Sequence, residues 1–330
     1  MRAPALPADG RCTMLRTRFT ELVGCAIPLQ QAGMGGVTPP RLVAAVTEAG
    51  GFGMVAGIGA TAPRLARLLG SVREQTSGTF GVNFVVPFLE RACVEMAAAQ
   101  ARVVEFFYGE PDASLVDLVH AGGALACWQV GSRAEAVAAA AAGCDVIVAQ
   151  GIEAGGHVRG RLGLLPLLDE VLQSVDVPVL AAGGIGTGRA MAAVLAAGAD
   201  GVRVGTRFVA AEEAGAHPVY IDALIAAAAE DTVLTEAFSF DWPHAPHRVL
   251  RSSVAAAEAF QGDTVGAWPS SGDPIPRFST APAVQGATGA VEAMALYAGE
   301  SVSAVRSVQP AAAIVRELAD EAEQLLRRWG

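Results

Sequence analysis

The chain has 330 residues, of which 52% are hydrophobic and 17% charged, and this composition is typical of one large globular domain with room for a smaller attached one. A formal net charge of -10 argues against nucleic acid and anionic membranes as main partners. The sequence contains no lysine, which excludes a mechanism through a Schiff-base lysine.

The cysteines point to a reducing compartment. Five of them are scattered along the chain, without a C-x-x-C pair and without histidines at metal-ligand spacing, so we predict no metal site. Sparse thiols of this kind are typical of the cytoplasm. Residues 1–20 lack the apolar segment of a signal peptide, and no apolar run reaches the roughly 20 residues of a membrane span. The sequence therefore predicts a cytoplasmic protein.

Strand and helix patterns alternate regularly up to about residue 210. Eight apolar segments are predicted as strands, and helical patterns separate them. This alternation implies parallel strands with right-handed crossovers, and eight repeats in this length favour a (β/α)8 TIM barrel. A doubly wound open sheet is the alternative, although no G-x-G-x-x-G follows the first strand. The predicted strands are 27–32, 52–56, 79–85, 103–107, 124–130, 145–150, 177–182 and 200–204.

The pattern changes after residue 210. Residues 211–288 are rich in Pro, Ser, Gly, Trp and His and contain one predicted helix at 218–230. Helices are predicted again at 289–297 and, with an amphipathic pattern, at 309–328. We therefore expect an α/β fold in which residues 1–210 and 289–330 form the barrel and residues 211–288 form a smaller insertion domain that covers the barrel mouth.

The segment from Asp145 to His157 carries the strongest signal for a site. Its apolar strand ends in a turn that holds three glycines, a carboxylate and a histidine. In parallel α/β folds, ligands bind at the carboxyl ends of the strands. Gly155 and Gly156 allow the backbone to approach a flat ligand closely, and an imidazole such as that of His157 is suited to proton transfer near neutral pH. An ordinary tight turn with a surface histidine is the alternative.

Two further glycine turns follow the seventh and eighth predicted strands, at Gly183–Gly186 and at Gly205–Arg207. In barrel enzymes these two turns often bind phosphate, whereas the alternative role of such glycines is close packing of helices on strands. The other strand ends offer amides, backbone edges and an apolar thioether, which suit a large flat heteroaromatic ligand. Flavin mononucleotide (FMN) meets both requirements. The residues at those ends are Gly33, Met34, Asn83, Gln129, Gln150, Gly155 and Gly156.

Several motifs resemble the nitronate monooxygenase family, formerly called 2-nitropropane dioxygenase, which includes flavin-dependent enoyl-ACP reductases. They are QAGMGGVTP at 31–39, GVNF at 81–84, AQGIEAGGH at 149–157, AAGGI at 181–185, VGTRF at 204–208 and ALYAGESV at 295–302. The resemblance implies an FMN-containing barrel that oxidises alkyl nitronates with dioxygen to a carbonyl compound and nitrite. It also implies that His157 is the catalytic base.

The candidate cofactor residues combine the strand-end residues with those that the resemblance implies. They are Ala32, Gly33, Met34, Asn83, Gln129, Gln150, Gly155, Gly156, Gly183, Gly184, Arg203, Val204, Gly205 and Thr206. Two positions depart from the motifs of many family members, which have Pro-Met where this chain has Gly33-Met34 and Gly-Gln-Ser where it has Gly299-Glu300-Ser301. Both positions would line the substrate side of the flavin, so the natural substrate stays open.

Three functions remain open from the sequence. The first is the FMN-dependent oxidation of nitronates, with neutral nitroalkanes as further substrates. An NAD(P)H-dependent FMN reductase that acts on enoyl thioesters or quinones is the main alternative. The third is a barrel that binds FMN or a phosphorylated metabolite without turnover. A small-molecule substrate and dioxygen are the expected partners, and a homodimer is compatible with the sequence.

Overall fold

The computed structural model describes residues 15–328. Cys12, most of the segment 1–20 that we predict not to be a signal peptide, and residues 1–14 and 329–330 of the predicted barrel lie outside the described residues. Eight parallel strands form one sheet and follow one another around it in chain order. They are β1 Leu29–Gln31, β2 Gly53–Ala56, β3 Phe80–Val85, β4 Val103–Phe107, β5 Leu125–Val130, β6 Val146–Gln150, β7 Val179–Ala182 and β8 Gly201–Val204.

The sheet closes on itself between β1 and β2. The N–H of Phe52 donates to the carbonyl of Leu29 at 2.8 Å, and the N–H of Gln31 donates to the carbonyl of Phe52 at 2.9 Å. On its other side β1 pairs with β8. The fold is therefore the predicted (β/α)8 TIM barrel, with a smaller insertion after the eighth strand, and the open-sheet alternative is wrong.

Helices form the outer layer and turn their apolar faces to the strands. Helix α12 shows the pattern, because Ile314, Val315 and Leu318 lie on its buried face, as its predicted amphipathic spacing requires. The helices are α1 Arg18–Val23, α2 Pro40–Glu48, α3 Ala62–Gln75, α4 Arg91–Gln100, α5 Ala113–Ala121, α6 Arg133–Ala141, α7 Leu164–Leu172, α8 Gly188–Ala196, α9 Thr206–Val209, α10 Pro218–Ala226, α11 Arg251–Ala259 and α12 Ala311–Leu326. Short 3-10 turns lie at Val86–Phe88, Ala229–Asp231, Val291–Ala293 and Glu300–Ala304. None of these helices has the length and apolar character needed to cross a bilayer.

Inside the barrel, the amino-terminal end is filled by apolar side chains. Helix α1 lies across this end and its Phe19 ring packs edge-on against Phe52, with ring centroids 5.9 Å apart. Arg18 of the same helix forms an ion pair with Asp200 at 2.7 Å, just before β8. The apolar interior cluster consists of Phe19, Val23, Phe52, Met54, Val103, Cys127, Val146, Val148, Leu180 and Ala182.

After β8 the chain builds two small antiparallel sheets and the helices α10 and α11. The first sheet joins Thr232–Thr235 and His247–Leu250 to the two-residue strand Gly156–His157, which belongs to the turn after β6. The second joins Thr264–Ala267 to Pro274–Pro276 and to Thr288–Gly289. The insertion is thus hydrogen-bonded to the candidate catalytic turn.

Two predicted helices differ from the structure. The helix predicted at 218–230 ends at Ala226, and the helix predicted at 289–297 is wrong. Its residues are good helix formers, but their backbone groups pair with distant segments: the N–H of Ala290 donates to Val265 at 2.7 Å and the carbonyl of Leu296 accepts from Leu250 at 2.8 Å. Tertiary hydrogen bonds therefore override local helix propensity here.

Candidate active site

The carboxyl ends of the barrel strands bring the candidate residues together. A Cβ placed on Gly33 would lie 3.1 Å from the Cβ of Asn83, so the turn after β1 contacts the end of β3. A Cβ on Gly205 would lie 3.5 Å from Ala32 and 3.7 Å from the sulfur of Met34, so the turn after β8 lies beside the same first turn. The N–H of Ala32 donates to the carbonyl of Val204 at 2.9 Å. These separate sequence motifs therefore form one wall of the mouth.

A layer of buried polar groups lies in the barrel below this wall. Glu105 of β4 has no exposed surface and forms an ion pair with Arg203 of β8, which is 8% exposed. Its carboxylate also accepts from the Asn83 amide at 2.7 Å and from the Gln30 amide at 3.2 Å. A further side-chain amide, that of Gln150, donates from Nε2 to the carbonyl of His157 at 3.0 Å.

His157 lies in the turn that follows β6. Its Nε2 is fully buried and has no hydrogen-bond partner among residues 15–328. Burial, and secondly the nearby His247, lowers the pKa of its imidazole from 6.5 to about 3. The ring is therefore neutral at physiological pH and can accept a proton.

His247 is the neighbour of His157 in the small sheet, and burial lowers the pKa of its imidazole as well. The N–H of Phe238 donates to its Nε2 at 3.2 Å, and its Nδ1 lies 2.9 Å from the carbonyl of Ala245. These two contacts require Nε2 to be an acceptor and Nδ1 to carry the proton, so the hydrogen bonds describe a neutral imidazole.

Aromatic rings enclose His157, and one of them comes from the insertion. The indole of Trp242 stacks on the imidazole, with centroids 4.2 Å apart and planes 29° apart. The same indole packs edge-on against Tyr108 at 4.5 Å and against Phe88 at 5.0 Å. Trp242 thus contacts residues that follow the strands β3, β4 and β6. Trp242 therefore covers the candidate base.

Tyr108 follows β4 directly and has a backbone φ of +65°, a left-handed conformation that non-glycine residues rarely adopt. Its ring stands edge-on to His157 at 5.9 Å. Burial raises the pKa of its phenol, so Tyr108 is neutral at physiological pH. Strain of this kind concentrates at functional sites.

Arg248 holds the candidate turn in place from the insertion side. Its guanidinium donates from Nη2 to the carbonyl of Ile152 at 3.0 Å and forms an ion pair with Glu300 at 3.2 Å. The N–H of Glu300 in turn donates to the carbonyl of Glu153 at 2.9 Å. Glu300, one of the two departures from the family motifs, therefore pairs with a residue of the insertion.

The glycines of the mouth differ in backbone conformation and in the space around them. Gly183 and Gly184 have φ of +109° and +67°, which other residues adopt only with strain. Gly155 is required by close packing, since a Cβ there would lie 2.4 Å from the N atom of Gly299. Gly156 has open space around it but also a positive φ, +76°, whereas beside Gly205 an added Cβ would make only ordinary contacts.

Thr206 and Arg207, the first two residues of α9, both bond to protein groups. The hydroxyl of Thr206 accepts from the N–H of Gly299 at 3.0 Å. Arg207, which lies in the second predicted phosphate turn, donates from Nη2 to Glu317 of α12 at 2.9 Å and to Gln309 at 2.6 Å. Its Nε and Nη1 are buried without a partner among residues 15–328. Gln129 completes the candidate set as a buried residue at the end of β5.

Sequence reasoning missed Glu105, Tyr108, Trp242 and Arg248. Only Glu105 left a clear signal, because one carboxylate within the apolar run Val103–Phe107 must either break the strand or find a buried partner. The other three depend on contacts between the insertion and the barrel, which no local pattern reveals.

Comparison with known proteins gives a consistent picture. The family model of nitronate monooxygenase matches residues 16–92 and 86–321. A probable nitronate monooxygenase of Staphylococcus aureus is 31% identical over 271 residues, covering 68% of this chain and 76% of that protein. The (3aS,4S,5R,7aS)-5-hydroxy-7a-methyl-1-oxo-octahydro-1H-indene-4-carboxyl-CoA dehydrogenase of Rhodococcus jostii is 34% identical over 253 residues, covering 76% and 70%.

Solved structures agree with this assignment. FabK from Thermotoga maritima superposes with a TM-score of 0.79 at 30% identity, covering 95% of this chain and 98% of that one. A nitroalkane oxidase from Streptomyces ansochromogenes gives a TM-score of 0.76 at 30% identity, covering 94% and 99%. From the family match and these relatives, we conclude that the chain is an oxidoreductase that belongs to the nitronate monooxygenase family.

Proposed function

We propose that the protein oxidises alkyl nitronates with dioxygen to a carbonyl compound and nitrite, with FMN as its cofactor and His157 as the base for neutral nitroalkanes. The observation that carries the proposal is the buried, unpartnered Nε2 of a neutral His157 at the barrel mouth. A buried polar atom without a partner is costly in a folded protein, so it indicates a ligand or substrate group that completes its hydrogen bonding.

The residues at the mouth fit FMN. The amide oxygen of Gln150 is buried without a partner in the described chain, and such an acceptor suits an N–H at the rim of a flavin ring. The glycine turns at Gly183–Gly184 and Gly205 suit its phosphate, because backbone N–H groups can approach an anion closely where no side chain intervenes. Asn83 and Arg203 supply further donors at the floor of the mouth.

The chemistry that FMN supplies when bound is electron transfer between the nitronate and dioxygen. The part played by the protein is to exclude water and to handle one proton. With a neutral nitroalkane, Nε2 of His157 accepts the proton of the carbon next to the nitro group. A pKa of about 3 makes this imidazole a weak base in the enclosed mouth, whereas a preformed nitronate needs no proton transfer. We therefore propose nitronates as the better substrates.

We also propose that residues 211–288 cover the barrel mouth, as the sequence predicts. The support is that Trp242 stacks on His157 and that the strand His247–Leu250 pairs with Gly156–His157. A cover of this kind keeps water from the reacting groups. The cytoplasmic location and the homodimer stay predictions of the sequence.

An NAD(P)H-dependent reductase is the second candidate. The observation that favours it is the similarity to the Rhodococcus jostii dehydrogenase, which is named for a carboxyl-CoA compound.

One experiment separates the two functions. The purified yellow protein is mixed without oxygen with propane-2-nitronate, and in a parallel sample with NADPH or NADH, while flavin absorbance is followed. Bleaching by the nitronate followed by recovery with oxygen and release of nitrite supports our proposal. Rapid bleaching by a nicotinamide nucleotide alone would replace it with the reductase, and a colourless protein that gains no flavin spectrum with FMN would contradict both.

A further inference from the structure

Glu105 is a buried carboxylate that stability alone does not explain. It lies in the barrel interior with no exposed surface, between the apolar side chains of the amino-terminal end and the mouth. Taking two charges out of water costs several kcal/mol per ion, and well-packed apolar residues are often as stabilising as a buried ion pair. Between Glu105 and the amino-terminal end, the barrel interior is instead filled by apolar side chains.

Two partners of Glu105, Asn83 and Arg203, are residues that we assign to the cofactor. Its carboxylate accepts from the amide of Asn83 at 2.7 Å and pairs with Nη1 of Arg203. Gln30 donates at 3.2 Å, and the thiol of Cys127 lies 3.9 Å away, where burial and then Glu105 raise the pKa of that thiol. One carboxylate thus connects strands β1, β3, β4, β5 and β8.

The contacts with Glu105 hold the donors Asn83 and Arg203 in place and balance the charge of Arg203. A guanidinium has five N–H donors in a rigid fork, and Glu105 accepts at its Nη1, so other donors of Arg203 are free to bind a ligand. Arg203 also keeps 8% of its surface exposed, whereas Glu105 keeps none. The cation therefore lies on the accessible side of the pair. In addition, the carboxylate balances the charge of the guanidinium.

We propose that Glu105 is a positioning residue that holds Asn83 and Arg203 in the arrangement that binds FMN, and that its charge balances Arg203 beside the flavin; this inference rests on the proposed function. Glu105 does not contact the substrate. Removing its charge leaves the positive charge of Arg203 uncompensated, which favours the electron-rich reduced form of a nearby flavin. Shortening its side chain keeps the charge but withdraws the oxygens from Asn83 and Arg203.

The structure offers a matched control. Asp200 is also a buried carboxylate that pairs with an arginine, Arg18, and accepts from a backbone N–H, that of Val179 at 3.0 Å. It lies at the amino-terminal end of the barrel, away from the mouth. Asp200→Asn should therefore lower stability without changing the flavin site.

The test titrates flavin-free wild type, Glu105→Gln, Glu105→Asp and Asp200→Asn with FMN and follows the quenching of flavin fluorescence. We expect both Glu105 variants to bind FMN at least about 10-fold more weakly, the loss of roughly one charge-assisted hydrogen bond, and Asp200→Asn to bind within about twofold of the wild type. We also expect the midpoint potential of bound FMN to rise in Glu105→Gln but not in Glu105→Asp.

Three results would overturn the inference: FMN affinity within about twofold of the wild type in either Glu105 variant, an equal loss in Asp200→Asn, or an unchanged potential in Glu105→Gln. If Glu105→Gln does not fold, Glu105→Asp decides by its affinity, because it retains the ion-pair charge. A wild type that binds no FMN overturns the proposed function and this inference together. A wild type that binds FMN, with variants that match it, overturns only the inference.

Discussion

At the amino-terminal end of the barrel, α1 and the first residues of the strands pack an apolar plug, and the one ion pair described there, Arg18–Asp200, lies at the rim with Arg18 half exposed. At the carboxyl-terminal end, the same strands carry amides, a carboxylate and a guanidinium, and five buried side-chain atoms have no partner in the described chain: Gln30 Oε1, Gln150 Oε1, His157 Nε2, and Nε and Nη1 of Arg207, which follows β8. The charged groups at the amino-terminal end are paired within the chain, whereas the carboxyl-terminal end has buried polar atoms that a ligand could bind. The comparison shows that stability and function are divided between the two ends of the same strands.

The largest expected effect is on stability and comes from the packing at the amino-terminal end of the barrel. Phe19 is 1% exposed and packs edge-on against Phe52, so Phe19→Ala leaves a cavity. We expect the free energy of unfolding to fall by about 3–5 kcal/mol, measured by urea unfolding. FMN affinity, measured below the unfolding transition, should stay at the wild-type value. A parallel loss of FMN affinity would show that the two ends are not separable.

The next effect is on cofactor binding at the carboxyl-terminal end of the barrel. A side chain at Gly205 meets only ordinary contacts and its backbone φ is -113°, so Gly205→Val should fold while its methyl groups occupy the proposed phosphate position. Because the proposed N–H contacts to the phosphate would be blocked, we expect FMN binding to weaken by on the order of 10²-fold or more. Gly184→Val tests the same site less cleanly, because the φ of +67° at Gly184 adds strain.

Equilibrium dialysis with FMN measures the Gly205 effect, and Gly70→Val serves as its control. A Cβ at Gly70 of α3, on the outer layer, would meet nothing within 4 Å. Wild-type FMN affinity in Gly205→Val would remove the phosphate assignment from this turn.

A smaller effect is expected where the insertion meets the barrel. Trp242→Ala exposes the imidazole of His157 to water, and because burial is the main cause of the lowered pKa, that pKa should rise. We expect a rise of more than about one unit, equivalent to about 1.4 kcal/mol, in an NMR titration of the imidazole. Trp268→Ala, at another partly buried tryptophan of the insertion, should leave the titration unchanged. An unchanged pKa in Trp242→Ala would show that the insertion does not seal the mouth.

The last effect is on the pH dependence of stability. The pKa of His157 is lowered from 6.5 to about 3 in the folded protein, so between these values the unfolded chain binds a proton that the folded protein does not. Stability therefore falls as pH decreases from 6.5 towards 3. His157→Asn should make this fall less steep in urea unfolding at several pH values. His244→Asn, at an exposed histidine with 93% of its side chain accessible, is the control. Equal slopes in wild type and His157→Asn would contradict the burial of the ring.

The sequence predicts the barrel well, because the alternation of strand and helix patterns is local and repeats eight times. It also locates His157 and the glycine turns, since these follow strand ends directly. It does not predict the pairing of Glu105 with Arg203, which joins residues 98 positions apart and depends on strand register across the barrel. For the same reason, the partners of Arg207 and the contact of Trp242 with His157 emerge only from the structure.

The insertion is the part that local patterns describe least. Its strands are short, and one of them, His247–Leu250, pairs with residues of the turn after β6. The segment 289–297 has helical propensity but forms only a 3-10 turn at Val291–Ala293, because its ends are hydrogen-bonded to Val265 and Leu250. Pairing over such distances overrides propensity, which contributes less than 1 kcal/mol per residue by rough measure.

The most direct test of the account is the effect of His157→Asn on the two forms of one substrate. A base matters only where a carbon-bound proton must leave, so the neutral nitroalkane should depend on His157 and the preformed nitronate should not. We expect the variant to retain FMN and to lose at least about 10²-fold in kcat/KM on the nitroalkane, with a much smaller loss on the nitronate. Equal losses on both forms, or no loss on either, would contradict the assignment of His157 as the base.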